Sequence, residues 1–236
     1  MTKSQIITTL ALATAAVAAR GQFYTEIDIS SQVNADIQTY TYGNNYPTGG
    51  GELNAGGVPF GLALLNNTPD TTGVVQTPNN GGQVESYTFS VQPGTYATAL
   101  YTLINTSWGE AGVNEGSVVV AGSRGETATL NLLEGFNVRD HADAVNCNTY
   151  TDPTVVPANF GMPATGLVRL DRQVLLLPSS FNGDTVASIT FNGIGNGQPD
   201  GSPFLAGMTL QTVPEPGSLV VFGLGTLILV VRRARQ

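Results

Sequence analysis

The sequence predicts an all-β protein, an antiparallel β-sandwich of jelly-roll type, and three observations carry that prediction. Charged residues make up 11% of the 236-residue chain, against about 25% in an average soluble protein. Glycine, threonine, asparagine and serine fill the gap, a composition that suits many turns and a polar, uncharged surface. Short apolar runs with a period of two recur between turn signals. Between the two ends of the chain no segment shows a helical apolar face, and no fixed-period repeat suggests a solenoid or propeller.

Taken in order, residues 1–19 read as a secretory signal helix. Lys3 is followed by an uncharged run with Ile6, Ile7, Leu10 and Leu12, then by Ala16-Val17-Ala18-Ala19, the basic, apolar and small-residue regions that signal peptidase requires. The sandwich domain is expected over 22–212. Within it, Tyr40 to Gly57, with Gly49-Gly50-Gly51 and Gly56-Gly57, reads as turns and loop. Val84 to Val91 alternates Tyr87, Phe89 and Val91 against Thr88 and Ser90, the pattern of a half-buried strand. Pro93-Gly94 ends it.

Further strands are expected over Thr95 to Trp108, Gly116 to Gly122 and Thr127 to Leu132, as successive antiparallel partners. Asn146 to Thr165 contains Pro153, Pro157 and Pro163 and reads as loop. Leu167 to Leu177, Thr185 to Phe191 and Phe204 to Val213 complete the set.

Residues 213–236 form a separate tail. Val213-Pro214-Glu215-Pro216 precedes an apolar run, expected as a transmembrane helix over 218–231, and Arg232, Arg233 and Arg235 close the chain. The 15 uncharged residues from Gly217 to Val231 would span about 22 Å as a helix, short of the ~30 Å hydrocarbon core. Such a segment makes a poor permanent anchor. The arginines belong on the cytoplasmic side of the inner membrane by the positive-inside rule.

The order Pro214, Glu215 and Pro216, apolar helix, basic end resembles the PEP-CTERM sorting signal of Gram-negative bacteria that make extracellular polysaccharide. The same tail is also described as an ice-binding protein C-terminal domain, which says nothing about ice. The resemblance implies export, transient anchoring in the inner membrane, and recognition by an exosortase that cuts near the motif, leaving the protein at the cell surface or outside. Gly57-Val58-Pro59-Phe60, Tyr101 to Gly109 and Leu130 to His141 are similar to segments of galactose-binding-like β-sandwiches. That likeness implies sugar-binding loops at one end, sometimes beside a structural calcium.

Charge narrows the partners. Residues 22–213 hold four arginines, sixteen acids and no lysine, a formal charge of −12, which argues against nucleic acid and for neutral polymers or divalent cations. With Cys147 alone, no intrachain disulfide can form. The segment Asn137 to Asp143 gathers the only histidine, an arginine and two carboxylates. Asn137, Arg139, Asp140 and His141 could cradle sugar hydroxyls, and Asp140 with Asp143 could hold calcium.

The commoner use of such residues is a structural turn in which Arg139 pairs with a carboxylate and His141 caps backbone groups. Trp108 could offer a stacking platform to a sugar ring, although a lone tryptophan in a sandwich is expected in the core. No metalloprotease, nucleophile-elbow or phosphate-loop motif occurs. The expectation is therefore a non-enzymatic surface or matrix protein that binds or scaffolds extracellular polysaccharide. A carbohydrate-active enzyme is the alternative. Ice binding is weaker, since Thr127 and Thr129 alone make a short array.

Overall fold

A computed structural model describes residues 22–40, 46, 48–77, 83–141, 147–158, 169–195 and 202–214. The expected signal helix over 1–19 and transmembrane helix over 218–231 lie outside these residues. Among the described residues no helix is long and apolar enough to cross a membrane.

Thirteen strands account for the described architecture. The first five are β1 (Phe23–Ile27), β2 (Ala35–Asp36), β3 (Gly51–Ala55), β4 (Val58–Leu62) and β5 (Gly73–Gln76). The middle of the chain supplies β6 (Gln83–Ser90), β7 (Tyr96–Ser107), β8 (Asn114–Gly122) and β9 (Thr127–Leu133). The remainder are β10 (Val156–Pro157), β11 (Asp171–Leu176), β12 (Val186–Gly195) and β13 (Ser202–Val213). One turn of α-helix, α1 (Ile37–Tyr40), and three short 3-10 turns complete the set.

The strands form two principal antiparallel sheets. In the larger the order is β10-β11-β7-β13-β5-β2, and β1 pairs with the distal half of β13, beyond β5. In the smaller it is β6-β12-β8-β9. Side chains alternate as the pleat demands. On β12, Ile189 and Phe191 point inward and Thr190 and Asn192 outward; on β8, Val118 and Val120 face in. Together with Phe89, Leu100, Ile104, Leu132, Leu205, Met208 and Leu210 they fill the space between the sheets. Each such side chain contributes about 1.5–3 kcal/mol by leaving water.

A second apolar core lies on the opposite face of the larger sheet. The hairpin β3–β4 closes over it with Leu53, Ala55, Val58 and Phe60, which meet Leu103, Leu170, Phe204 and Ala206. Strand β13 is thereby covered on both faces, and every residue from Ser202 to Leu210 is buried. A bulge between Leu205 and Gly207 adds a residue and reorients the side chains that follow.

Several expectations require correction. Tyr40 to Gly57 is not simply loop: it contributes β3 and places Tyr46, Leu53 and Ala55 in the second core. The local glycines had masked an apolar face that only pairing with β4 reveals. The strand expected from Leu167 begins at Asp171, and 159–168 lie outside the described residues. The middle strands are not all successive partners. β6 and β7 belong to different sheets, and only β8 and β9 pair as sequence neighbours among the strands anticipated.

Candidate functional site

The residues singled out in the sequence meet where β11 stops covering β7. Pairing with β11 runs along β7 only as far as Leu103, opposite Arg172. Beyond it, residues 139–141 take over that edge: the Thr106 amide donates to the Arg139 carbonyl at 3.1 Å, and the His141 amide donates to the Thr106 carbonyl at 2.9 Å. Thr106 and Asp140 form a parallel bridge. The segment is thus sewn to a central strand, and its side chains are placed with the precision of the sheet.

Asn137 is spent on its own turn. Its side-chain oxygen accepts from the Leu133 amide at 2.9 Å and its amide donates to the Asn131 carbonyl at 2.8 Å. Arg139 forms a two-pronged ion pair with Asp171, Nε to Oδ2 and Nη2 to Oδ1, each 2.7 Å, the strongest geometry available to a guanidinium. Its third nitrogen donates to the Asn148 carbonyl at 3.2 Å, and the Tyr150 ring lies 4.6 Å away. Asn105 on β7 also donates to Asp171 and accepts from its backbone amide.

His141 is buried against the edge of Phe204, with Nδ1 3.0 Å from the Tyr46 hydroxyl. Tyr46 gives its single proton to the Arg169 carbonyl at 3.0 Å. It follows that Nδ1 carries the hydrogen and donates to the tyrosine oxygen. Burial lowers the imidazole's pKa, with Asp140 opposing and Arg169 assisting.

Asp140 is 2% exposed and accepts the Trp108 amide hydrogen at 2.7 Å. Trp108 itself is 54% exposed and has φ +68°. The expectation of a core tryptophan is therefore overturned. The left-handed backbone turns the ring out of the sheet, a conformation that costs a bulky L-residue about 1–3 kcal/mol and needs fixed surroundings to persist.

Those surroundings include Glu134, 1% exposed, which accepts the Thr106 hydroxyl at 2.8 Å. Its carboxyl lies so close to Gly109 that a Cβ there would come within 2.2 Å of the carboxyl carbon. Its Oε1 makes no hydrogen bond among the described residues. Burial raises the Glu134 pKa to about 8; Glu115 and Asp140 push the same way, while the Thr106 hydroxyl opposes.

The structure brings Asn137, Arg139, Asp140, His141 and Trp108 to one end of β7, but only Trp108 is displayed to solvent. Asp143 lies outside the described residues. Among those described, no group of three or more His, Cys, Asp or Glu is arranged to hold a metal ion. Sequence reasoning missed Glu134, Asp171, Asn105 and Tyr46. Glu134 follows Leu132-Leu133 and Asp171 follows Leu170. In a chain so poor in charge, an acid adjoining aliphatic residues was the available signal.

The comparisons with known proteins concern the tail. The PEP-CTERM protein-sorting motif matches residues 212–236, about a tenth of the chain. Of this stretch, 212–214 are described: Thr212 and Val213 end β13, and Pro214 follows directly. Glu215, Pro216 and the arginines Arg232, Arg233 and Arg235 lie outside the described residues. The chain therefore carries a PEP-CTERM motif, consistent with an exosortase substrate that is exported to the cell surface. No curated protein and no solved structure matches the chain.

Proposed function

We propose that this is a non-catalytic, exported surface or matrix protein that binds or scaffolds extracellular polysaccharide, released after signal-peptidase and exosortase processing. Trp108 is the observation that supports the reading. Its ring stands out on a left-handed backbone that Asp140 pins through the amide. An aromatic face offers a sugar ring a stacking surface, the indole N–H adds a donor, and a pinned backbone leaves less freedom to lose on binding.

The carboxylates near it favour binding over hydrolysis. A glycosidase needs two carboxyl groups about 5–9.5 Å apart across an open cleft, whereas Glu134, Asp140 and Asp171 are all buried. The likeness to galactose-binding-like jelly rolls belongs to this reading. So does calcium, which Asp140 and Asp143 would share, stiffening the segment beside Trp108.

Because Trp108 is the only tryptophan, its fluorescence reports binding directly. A glycan array probed with the full chain, with calcium or with chelator, should show retention, and the retained glycan should shift Trp108 emission. Trp108→Ala should lose it. Turnover of a polysaccharide without stable retention would establish the enzyme alternative instead.

A further inference from the structure

The outward face of the smaller sheet carries a two-dimensional array that no single stretch of sequence reveals. Pairing across its four strands aligns Thr88, Thr190, Val119 and Thr129 in one rank. The ranks on either side run from Ser90 to Thr127 and from Ser86 to Asn131, and hold only serine, threonine, asparagine and alanine. All twelve positions are exposed or half-buried, and none is charged. The pleat spaces them about 4.8 Å apart across strands and about 6.8 Å along them.

The hydroxyls are held in place. The Thr88 and Thr190 side-chain oxygens are 3.0 Å apart, the Ser86 hydroxyl donates to Asn192 at 2.6 Å, and Asn192 donates to Ser117 at 3.1 Å. Each hydroxyl retains hydrogen-bonding capacity beyond these contacts. With β-branched or short side chains throughout, the face has little rotamer freedom to lose on binding.

We infer that this face docks onto packed chains of a neutral polysaccharide, a second contact surface distinct from Trp108. The inference rests on the polysaccharide reading above and adds the charge class of the glycan. Charge carries the choice of occupant. The chain around it is strongly acidic, with a formal charge of −12 over residues 22–213, so an anionic glycan is repelled and a cationic polymer is drawn elsewhere. An uncharged face rich in hydroxyls and methyls matches a surface of sugar hydroxyls and C–H groups. Ice is a poorer fit, because the ranks differ in composition and the asparagine rank interrupts any single threonine repeat.

The test is retention of the full chain on insoluble cellulose and chitin, with immobilised alginate as the anionic counterpart. Thr88→Glu and Thr129→Glu place a charge on the two outer strands of the face. Thr98→Glu, on exposed Thr98 of β7 in the other sheet, is the control, and near-ultraviolet circular dichroism checks folding of each. The wild type should be retained on a neutral polymer and not on alginate. Each face variant should bind about tenfold more weakly, with Thr98→Glu unchanged; Thr129→Ser, which keeps the hydroxyl, should bind like the wild type.

Full retention of both glutamate variants, with loss in Trp108→Ala, would overturn the face and leave the Trp108 site standing. Retention on alginate alone would overturn the neutral-glycan assignment but not polysaccharide binding. Failure on every polymer would remove both readings. Ice-crystal shaping by the wild type but not by Thr129→Glu, without polymer retention, would assign the face to ice instead.

Discussion

Glu134 offers a direct measurement of how the buried end of β7 is held. An ordinary glutamate ionises near 4.5, whereas burial raises Glu134 to about 8. The folded protein therefore binds this proton more tightly than the unfolded chain does. Stability from this group is complete below about pH 4.5 and declines as pH rises toward 8, where the folded form also ionises. At about 1.4 kcal/mol per tenfold difference in proton affinity, the whole interval amounts to about 5 kcal/mol.

Glu134→Gln tests the origin of that slope. Glutamine imitates the neutral acid: it can accept the Thr106 hydroxyl in the same way, and it cannot ionise. Urea unfolding of both proteins from pH 5 to 9 isolates the group, because His141 and the other titrating residues contribute to both curves. The two should nearly coincide at pH 5. At pH 9 the variant should be more stable by a few kcal/mol, with the wild-type curve falling relative to it by up to about 1.4 kcal/mol per pH unit. Parallel curves across the range would show that Glu134 ionises normally and that the buried carboxyl arrangement is wrong.

Three other substitutions probe the same frame. Asp171→Ala leaves the Arg139 guanidinium without its two-pronged partner and should cost about 3–5 kcal/mol in chemical denaturation. Trp108→Gly should be more stable than Trp108→Ala by about 1 kcal/mol, the reverse of the usual order within a strand, because φ +68° suits only glycine without strain; thermal melts of the two variants decide it. Gly116→Ala would put a Cβ 2.1 Å from the Asn192 backbone carbonyl. That carbonyl belongs to the paired strand and cannot retreat alone, so the variant should lose several kcal/mol and show a lower melting temperature.

The acid side of the pH profile carries the opposite sign. His141 has a lowered pKa, so the unfolded chain takes up its proton first as pH falls below about 6.5. Stability from neutral His141 is lost as the solution becomes more acidic. His141→Gln should flatten that limb in the same urea series, and an unchanged limb would show that His141 titrates as in an unfolded chain.

The sequence by itself determined the β class and most of the longer strands, because one face of each is apolar and the period-two pattern survives in the chain. Phe89 on β6 and Ile189 and Phe191 on β12 are legible in this way. The tail was equally legible, since Pro214, Glu215, Pro216, the apolar run and the arginines are contiguous and their order is the signal. Tertiary structure decided what depends on distant partners. β3 was hidden because its apolar residues acquire a core only under the hairpin with β4, whereas β13 was expected as a strand from Phe204 to Val213 but its burial on both faces was not. Asn137, Arg139, Asp140 and His141 are neighbours in the sequence, yet the bonds of the last three run to Asp171, Trp108 and Tyr46, which sequence spacing cannot supply. Trp108 turns outward because Asp140, thirty-two positions away, holds its amide. The hydroxyl ranks exist for the same reason: Thr88, Thr190 and Thr129 become neighbours only when antiparallel pairing fixes the register, and register is a property of the sheet.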